Sequence, residues 1–247
     1  MLKNHVEQER PGEEELGRRL GEARKRLGAL QMQIKEHGLP VLVLMEGWGT
    51  AGKGSTIGKI IRNIDPRFFK VATMAAPTEE ELRKPFLYRY FARIPEAGKF
   101  TFLDSGWMDE ITGDVLQGKL DDKGYASRID SVKRFERQLT DNGYLVMKFF
   151  FHIDEKEQRK RLDALLVNKD TSWRVSDSDR WQNKHYDKCL KVFDRYLDDT
   201  NVSTAPWYIV DAHSRKWAQL QVLELLCQGI DVALQNKSLA VPLLQNT

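Results

Sequence analysis

Residues 41–59 constrain the fold of this chain more than any other stretch. They read VLVLMEGWGTAGKGSTIGK: an apolar run rich in β-branched residues, a glycine-rich turn with a lysine, and a segment compatible with a helix. This order is typical of a phosphate-binding loop between a strand and a helix. The glycines let the backbone curl, so that successive N–H groups converge on an anion. We predict that phosphate is bound by Gly47, Gly49, Ala51, Gly52, Lys53, Gly54, Ser55 and Thr56.

The match to the motif G-x-x-x-x-G-K-[ST] is imperfect at one position. Gly54 stands where a hydroxyl that binds Mg²⁺ is expected, and Ser55 and Thr56 follow one and two places later. The helix that begins near Lys53 still directs the positive end of its dipole at the loop. Lys53 adds a full charge that can follow a phosphoryl group, so the prediction of a phosphate site stands.

The rest of the chain predicts an alternation of strands and helices. Apolar runs predict further strands at 68–74, 99–104, 144–151 and 205–210, and helical patterns cover 13–37, 53–64, 78–93, 109–117, 126–142, 155–167, 180–198 and 214–234. Such alternation is typical of an α/β protein with a parallel sheet. We predict a P-loop kinase-like, three-layer α/β/α fold with a five-stranded parallel sheet and a helical lid at about 168–184.

Length and composition limit the domain organisation and the location. The 247 residues predict a single domain at 13–235, between a flexible N-terminus (1–12) and a C-terminal tail (236–247). A net charge of +3 is too small to argue for nucleic acid, and we expect no nucleic-acid partner. Neither a membrane span of about 20 apolar residues nor a secretory signal is evident. Cys189 and Cys227 suggest neither a metal site nor a disulfide framework. We expect a cytoplasmic protein without a membrane partner.

Asp104 ends the third predicted strand, at the edge of the sheet where ligands bind in such folds. An acid in this position can hold Mg²⁺, usually through water, beside a phosphate loop. The alternative is an exposed acid that caps the following helix. Because Lys53 lies upstream at a suitable spacing, we predict that Asp104 is the metal ligand and that Lys53 and Asp104 are catalytic.

Two groups of cations could neutralise phosphate charge. Lys169 and Arg174 lie in a polar loop after the fourth strand, where a mobile lid would close over a nucleotide. We predict a catalytic role for Arg174 and a binding role for Lys169. Arg83, Lys84 and Arg89 lie on the predicted helix 78–93. They either line a path for a long polyanion or face water, and spacing alone does not decide between these alternatives.

Several stretches together resemble the polyphosphate kinase 2 family, and within it most closely the polyphosphate:AMP phosphotransferase branch, in which two such domains are often fused. The resemblance implies Mg²⁺-dependent phosphoryl transfer between inorganic polyphosphate and AMP, ADP or ATP. It also implies a homo-oligomer, a dimer or a tetramer, or pairing with a second family domain. The stretches are EGWGTAGKGSTI at 46–57, APTEEELRKPF at 76–86, FLDSGW at 102–107, FERQLTDNGY at 135–144, KFFFHIDEKEQRKRL at 148–162, W-R-V-S-x-x-D at 173–179 and APWYIV at 205–210.

Three positions depart from the pattern of that family. Gly49 stands where the family has an aspartate, and Ser105 and Glu110 stand where it has arginines. Losing a cation that neutralises transition-state charge costs orders of magnitude in phosphoryl transfer. A second hypothesis is therefore an impaired domain that binds polyphosphate or nucleotide, or pairs with an active domain; Gly49→Asp, Ser105→Arg and Glu110→Arg would then raise activity. A third hypothesis is an ATP-dependent small-molecule kinase. The preferred nucleotide and the direction of transfer stay open.

Overall fold

A parallel sheet forms the centre of the molecule. The computed structural model describes residues 1–5 and 9–244, and within them five parallel strands lie in the order β2-β3-β1-β4-β5. This confirms the predicted five-stranded parallel sheet, and the strand boundaries agree closely with those expected. The strands are β1 (Val41–Gly47), β2 (Phe69–Thr73), β3 (Phe100–Asp104), β4 (Leu145–His152) and β5 (Trp207–Asp211).

Helices cover both faces of this sheet. The first, second and tenth helices pack together on one face, and the fifth, sixth and ninth pack on the other, which gives the predicted three layers. In the described part of the chain, no helix combines the length and the apolar character that a bilayer crossing requires. The helices are α1 (Glu13–Glu36), α2 (Lys53–Ile60), α3 (Glu79–Leu82), α4 (Tyr88–Phe91), α5 (Trp107–Leu116), α6 (Asp122–Asp141), α7 (Glu155–Val167), α8 (Asp177–Lys184), α9 (Tyr186–Thr200) and α10 (Arg215–Leu244).

Strand β1 lies in the middle of the sheet and positions the phosphate loop. Val41 is in register with Phe100 of β3 and with Leu145 of β4, and β1 is buried from Val41 to Glu46. An apolar run without alternation is what a strand covered on both faces needs. The chain leaves β1 toward β2 and leaves β3 toward β4, in opposite directions along the sheet. The carboxyl ends of β1 and β3 therefore border a crevice of the kind that binds ligands.

The predicted helix 78–93 is wrong, because the chain forms the two short helices α3 and α4 instead. Helix α3 begins with a capping box: the Thr78 hydroxyl accepts from the N–H of Glu81, and the Glu81 carboxylate accepts from the N–H of Thr78. Pro85 lies between the two helices. A proline cannot donate to the helical ladder, and it moves the preceding residue out of the helical region. The cations on this segment are therefore not arranged along one side of a continuous helix.

Other element boundaries also differ from the sequence-based expectation. The predicted helix 180–198 is divided at His185, whose backbone (φ −120°, ψ 36°) lies outside the helical region and separates α8 from α9. Helix α10 continues to Leu244, through most of the predicted tail, and residues 245–247 lie outside the described residues. Within the predicted flexible segment 1–12, Leu2–Asn4 forms a 3-10 turn, whereas residues 6–8 lie outside the described residues.

Candidate functional site

The phosphate loop follows β1 and ends at the first residue of α2. Gly47 (φ +123°) and Gly52 (φ +104°) adopt the left-handed backbone that favours glycine. A Cβ atom at residue 47 would lie 2.4 Å from the carbonyl oxygen of Phe151, so no larger residue fits there. Gly52 is the N-cap of α2 and offers no side chain to the first N–H groups of the helix. These N–H groups are thus available to an anion.

Lys53 is folded back over this loop. Its Nζ atom donates to the carbonyl oxygens of Gly47 (3.0 Å) and Trp48 (3.1 Å). The loop therefore holds the ammonium group close to the predicted phosphate-binding backbone. Of the other predicted loop residues, Ala51 and Thr56 are buried and Ser55 is exposed.

Asp104 ends β3 beside the loop, in register with Met45 of β1. Burial raises the pKa of its carboxyl, and the charge of Lys53 opposes that rise. A Cβ atom at Gly54 would lie 2.9 Å from Oδ2 of Asp104, so a side chain at residue 54 would have to displace this carboxylate. Gly54, the departure from the usual motif, thus makes room for the predicted metal ligand.

Two further acids, Glu46 and Asp109, lie near Lys53, and neither was predicted as a site residue from the sequence. Glu46 is 1% exposed and accepts a hydrogen bond from the N–H of Met108 at 3.2 Å; burial raises its pKa to about 8. Asp109 lines a cavity. Burial raises the pKa of its carboxyl, and the charge of Lys53 opposes that rise. The sequence signal for Glu46 was its position at a strand end before the glycine loop. The signal for Asp109 was its position five residues after Asp104.

No group of three or more His, Cys, Asp or Glu side chains in the described residues is arranged to hold a metal ion. Asp104 and the other acids near Lys53 therefore do not form a closed protein cage. This suits Mg²⁺, which usually keeps several waters and binds one or two carboxylates together with substrate phosphates.

A cavity of about 620 Å³ adjoins the loop. Its volume lies in the range of small-molecule sites. The lining contains four acids and one arginine. The cavity wall therefore favours ligand groups that donate hydrogen bonds over negatively charged phosphate groups. The lining residues are Met74, Ala75, Ala76, Pro77, Arg89, Tyr90, Gly106, Asp109, Glu110, Thr112, Gly113, Asp114, Leu116, Gln117, Asp177, Ser178, Trp181, Gln182 and Phe193.

The three cations predicted to lie along one helix are separated by the fold. Arg89 is buried in the cavity wall, where it donates to the carbonyl oxygen of Ala75. Arg83 and Lys84 do not line the cavity; each pairs with a glutamate of α3, at 3.6 Å and 2.6 Å respectively.

The predicted lid residues Lys169 and Arg174 are exposed and do not line the cavity. The guanidinium of Arg174 lies 5.3 Å from the centre of the Trp173 ring. The part of the lid that reaches the phosphate loop is α8, where the side-chain oxygen of Gln182 accepts from the N–H of Gly49 at 3.0 Å. No local pattern in the sequence indicates this contact.

The two remaining departures from the family pattern, Ser105 and Glu110, have local structural roles. Ser105 has φ +63°, which is uncommon for a residue other than glycine, and its N–H donates to the carbonyl of Met45. Glu110 accepts from the hydroxyl of Tyr90 at 2.8 Å and lies 3.7 Å from Nη1 of Arg89. Glu110 is therefore engaged by neighbours in the cavity wall.

Comparison with known proteins gives a consistent result. The family model described as polyphosphate kinase 2 matches residues 11–238. The polyphosphate:AMP phosphotransferase of Pseudomonas aeruginosa is 32% identical over 220 residues, covering 89% of this chain and 44% of that protein. The ADP-polyphosphate phosphotransferase of the same organism is 28% identical over 211 residues, covering 85% of this chain and 69% of that protein.

Solved structures give the same picture at the level of the fold. The crystal structure of polyphosphate kinase 2 from Arthrobacter aurescens superposes with a TM-score of 0.82 at 26% identity, over 86% of this chain and 77% of that chain. A Pseudomonas aeruginosa protein described as a polyphosphate kinase 2 gives a TM-score of 0.89 at 25% identity, over 95% of this chain and 50% of that chain. The chain thus spans half or less of the length of two of these relatives.

Proposed function

Because this chain belongs to the polyphosphate kinase 2 family, we propose that it transfers phosphoryl groups between inorganic polyphosphate and a nucleotide, AMP or ADP. The observation that carries this proposal is the position of Lys53, held over the glycine loop by two carbonyl oxygens and flanked by Asp104. The names of the relatives, which include AMP and ADP phosphotransferases, support the same reaction class.

Phosphoryl transfer needs positioning and charge neutralisation rather than a covalent contribution from the protein. Lys53 and the N–H groups at the start of α2 hold the transferred group. Mg²⁺ is the proposed cofactor and would neutralise phosphate oxygens when bound. Asp104 is the proposed ligand of Mg²⁺. Its carboxylate lies against the backbone of Gly54, beside the space that phosphate would occupy.

The cavity beside the loop is the proposed site for the nucleoside part of the acceptor. Asp109, Asp114 and Asp177 in its wall can accept hydrogen bonds from the amino and hydroxyl groups of a nucleoside. The same acids repel phosphate, which directs the phosphate end of the nucleotide toward Lys53. This orientation brings the acceptor oxygen next to the phosphate loop.

Cations outside the cavity, among them the exposed Arg83 and the half-buried Lys84, are the proposed contacts for the polyphosphate chain. Arg83 and Lys84 pair with Glu79 and Glu80, whose side chains are 92% and 76% exposed. Such surface pairs contribute about 0–1 kcal/mol, so a polyanion can displace the glutamates. Lys169 and Arg174 are the proposed lid contacts, and Arg89 is the proposed cation of the cavity wall.

The test is a coupled assay of the purified chain with polyphosphate, Mg²⁺ and each of AMP and ADP, with the product identified by chromatography. We expect Lys53→Ala to lower kcat/KM by at least about 100-fold, because it removes the charge that stabilises the transferred group. We expect chelation of Mg²⁺ to abolish turnover. Lys59→Ala, an exposed lysine further along α2, is the matched control and should retain the wild-type rate.

Two other outcomes correspond to the alternative hypotheses. Absence of turnover in the wild type, combined with polyphosphate binding that depends on Lys53, would favour the impaired domain. Phosphorylation of a nucleotide from ATP, without any response to polyphosphate, would favour the small-molecule kinase. Turnover that survives Lys53→Ala would contradict the proposed site.

A further inference from the structure

Arg161 on α7 joins the phosphate loop to the segment that follows β5. Its side chain is 7% exposed, and a buried arginine is unusual unless its donors are bonded. The Nη1 atom donates to the carbonyl oxygens of Thr50 (3.3 Å) and Ala51 (3.0 Å) in the loop. The Nη2 atom donates to the carbonyl oxygens of Ala212 (2.7 Å) and His213 (3.0 Å). One guanidinium thus bonds the backbone just beyond the carboxyl ends of β1 and β5.

The guanidinium of Arg161 is fully engaged by the protein. Its Nε atom donates to Oε1 of Glu157, one turn earlier on α7, at 2.7 Å. Together with the four bonds to carbonyl oxygens this gives five hydrogen bonds, as many as a guanidinium has N–H groups. Arg161 is therefore not placed to bind a phosphate itself, and any effect on a substrate passes through the loop.

Side chains from α2 and α7 hold successive carbonyl groups of the phosphate loop, those of residues 47–51. Lys53 donates to the first two, the side-chain nitrogen of Gln158 lies 3.4 Å from the third, and Arg161 donates to the last two. In a loop that binds an anion, the N–H groups converge on the ligand and the carbonyl groups point outward. Helix α7 thus supplies outward partners for three of these carbonyl groups.

The bond to the Ala51 carbonyl fixes an N–H group that belongs to the predicted phosphate site. The carbonyl of Ala51 and the N–H of Gly52 form one planar trans peptide unit, so they point in opposite directions. Because Arg161 holds the carbonyl, the Gly52 N–H is directed away from α7. Gly52 is also the N-cap of α2, so the same bond orients the entry to that helix.

Thr50 is the strained residue of this turn. Its φ of +61° lies in the left-handed region, which is unfavourable for a β-branched side chain. Such a backbone persists only where the surrounding structure holds it. Arg161 bonds the carbonyl of Thr50 and that of the next residue, so loss of the guanidinium would allow the turn to relax.

We infer that Arg161 is a positioning residue for the proposed reaction: it fixes the turn at Thr50 and Ala51 so that the N–H groups of the loop are preorganised for phosphate. This inference rests on the proposed function. Preorganised donors stabilise the charge that develops in the transition state, and this stabilisation requires accurate placement. Ground-state binding of a polyanion depends mainly on charge, which acts over longer distances. A relaxed loop should therefore lower kcat more than it raises KM.

Three substitutions on α7 test this role in the polyphosphate assay, at a temperature at which circular dichroism shows each variant to be folded. Arg161→Lys keeps the charge, but a compact ammonium with three donors cannot bridge both segments. We expect its kcat to fall by about tenfold to 100-fold and its KM for polyphosphate to change by less than about threefold. Arg161→Met should lose at least as much in kcat.

Lys160→Met is the matched control. Lys160 precedes Arg161, is 76% exposed and pairs with the same Glu157 at 3.3 Å, but it makes no bond to the loop. It should keep the wild-type kcat and KM. Wild-type kcat in folded Arg161→Lys, or an equal loss of kcat in Lys160→Met, would overturn the inference.

Hydrogen exchange followed by mass spectrometry supplies a readout that does not require turnover. The N–H groups of Trp48, Gly49 and Ala51 donate within the protein and are protected while the loop keeps its conformation. Without substrate, we expect Arg161→Lys to accelerate exchange in the loop about tenfold and to leave β4 unchanged, whereas Lys160→Met should match the wild type. An inactive wild type with this pattern would count against the proposed function alone. Unchanged loop exchange in Arg161→Lys would overturn the positioning role.

Discussion

At the scale of single residues, two glycines of the phosphate loop each leave space for a carboxylate that comes from another element. Gly54 borders Asp104 from β3, and Gly49 borders Asp179 from α8. A Cβ atom at either position would lie closer to the acid than side chains allow. In this chain, both glycines therefore lie against acids that other elements of the fold supply.

Glu46 is the residue whose ionisation should control stability most directly. Its pKa is about 8 in the folded chain, against an ordinary value of 4.5. Between these two values the folded chain holds a proton that the unfolded chain has released, so the free energy of unfolding falls as pH rises. We expect Glu46→Gln to remove this dependence, which amounts to about 3–5 kcal/mol between pH 5 and pH 8.

Urea unfolding of wild type and Glu46→Gln at pH 5, 6.5 and 8 measures this effect. Glu14→Gln, an exposed glutamate in the first turn of α1, is the control and should follow the wild-type profile. Parallel pH profiles for wild type and Glu46→Gln would contradict the prediction.

At the scale of elements, side-chain caps decide where several helices begin. Helix α6 begins at Asp122, four residues before the predicted start at Ala126. The carboxylate of Asp121 accepts from the N–H of Gly124 at 2.7 Å, so the glycine that was expected to precede the helix lies inside its first turn. A good cap satisfies a backbone donor and outweighs the low helix propensity of glycine.

We expect Asp121→Ala to lower the free energy of unfolding by about 1 kcal/mol, because the Gly124 N–H loses its acceptor. Asp121→Asn keeps an acceptor and should stay close to wild type. Asp130→Ala, which removes an exposed ion pair with Arg134 in the middle of α6, is the control and should cost less than about 0.5 kcal/mol. Denaturant midpoints give the comparison, and equal losses in Asp121→Ala and Asp121→Asn would show that capping is not the cause.

At the scale of the whole molecule, a buried ion pair joins the sheet to one helical layer. Nζ of Lys148 on β4 lies 2.7 Å from Oε2 of Glu136 on α6, and both side chains are 0% exposed. Lys148 also donates to the carbonyl of Thr200 at the end of α9, and Glu136 accepts from the indole N–H of Trp107. Burial raises the pKa of Glu136 and lowers that of Lys148, and each partner opposes the shift of the other.

We expect Lys148→Met to lower the free energy of unfolding by about 3–5 kcal/mol, because Glu136 is left buried without a counter-charge. Lys148→Met/Glu136→Gln should recover part of this loss, since the amide still accepts from Trp107. A double-mutant cycle should give a coupling above about 1 kcal/mol. The exposed pair Arg137 and Asp141 on α6 is the control cycle, with a coupling near zero. Similar couplings in the two cycles would contradict a special role for the buried pair.

The sequence by itself determined the features that depend on neighbouring residues. Alternating strands and helices predicted the layered fold, and the local order of strand, glycine turn and helix identified Lys53. Asp104 was found because an acid at a strand end reaches the ligand-binding edge of a parallel sheet. Pro85 was also a local signal. Interpreted correctly, it would have divided the predicted helix 78–93.

Only the tertiary structure decided which distant side chains meet. Lys148 was visible as a charge in an apolar strand, but its partner Glu136 lies on a different layer. Packing of α5 brings Asp109 close to Lys53, and packing of α8 brings Asp179 against Gly49; no spacing in the sequence encodes these contacts. Local pattern sets which element a residue joins, whereas the burial of helix faces against the sheet sets which acids share one site.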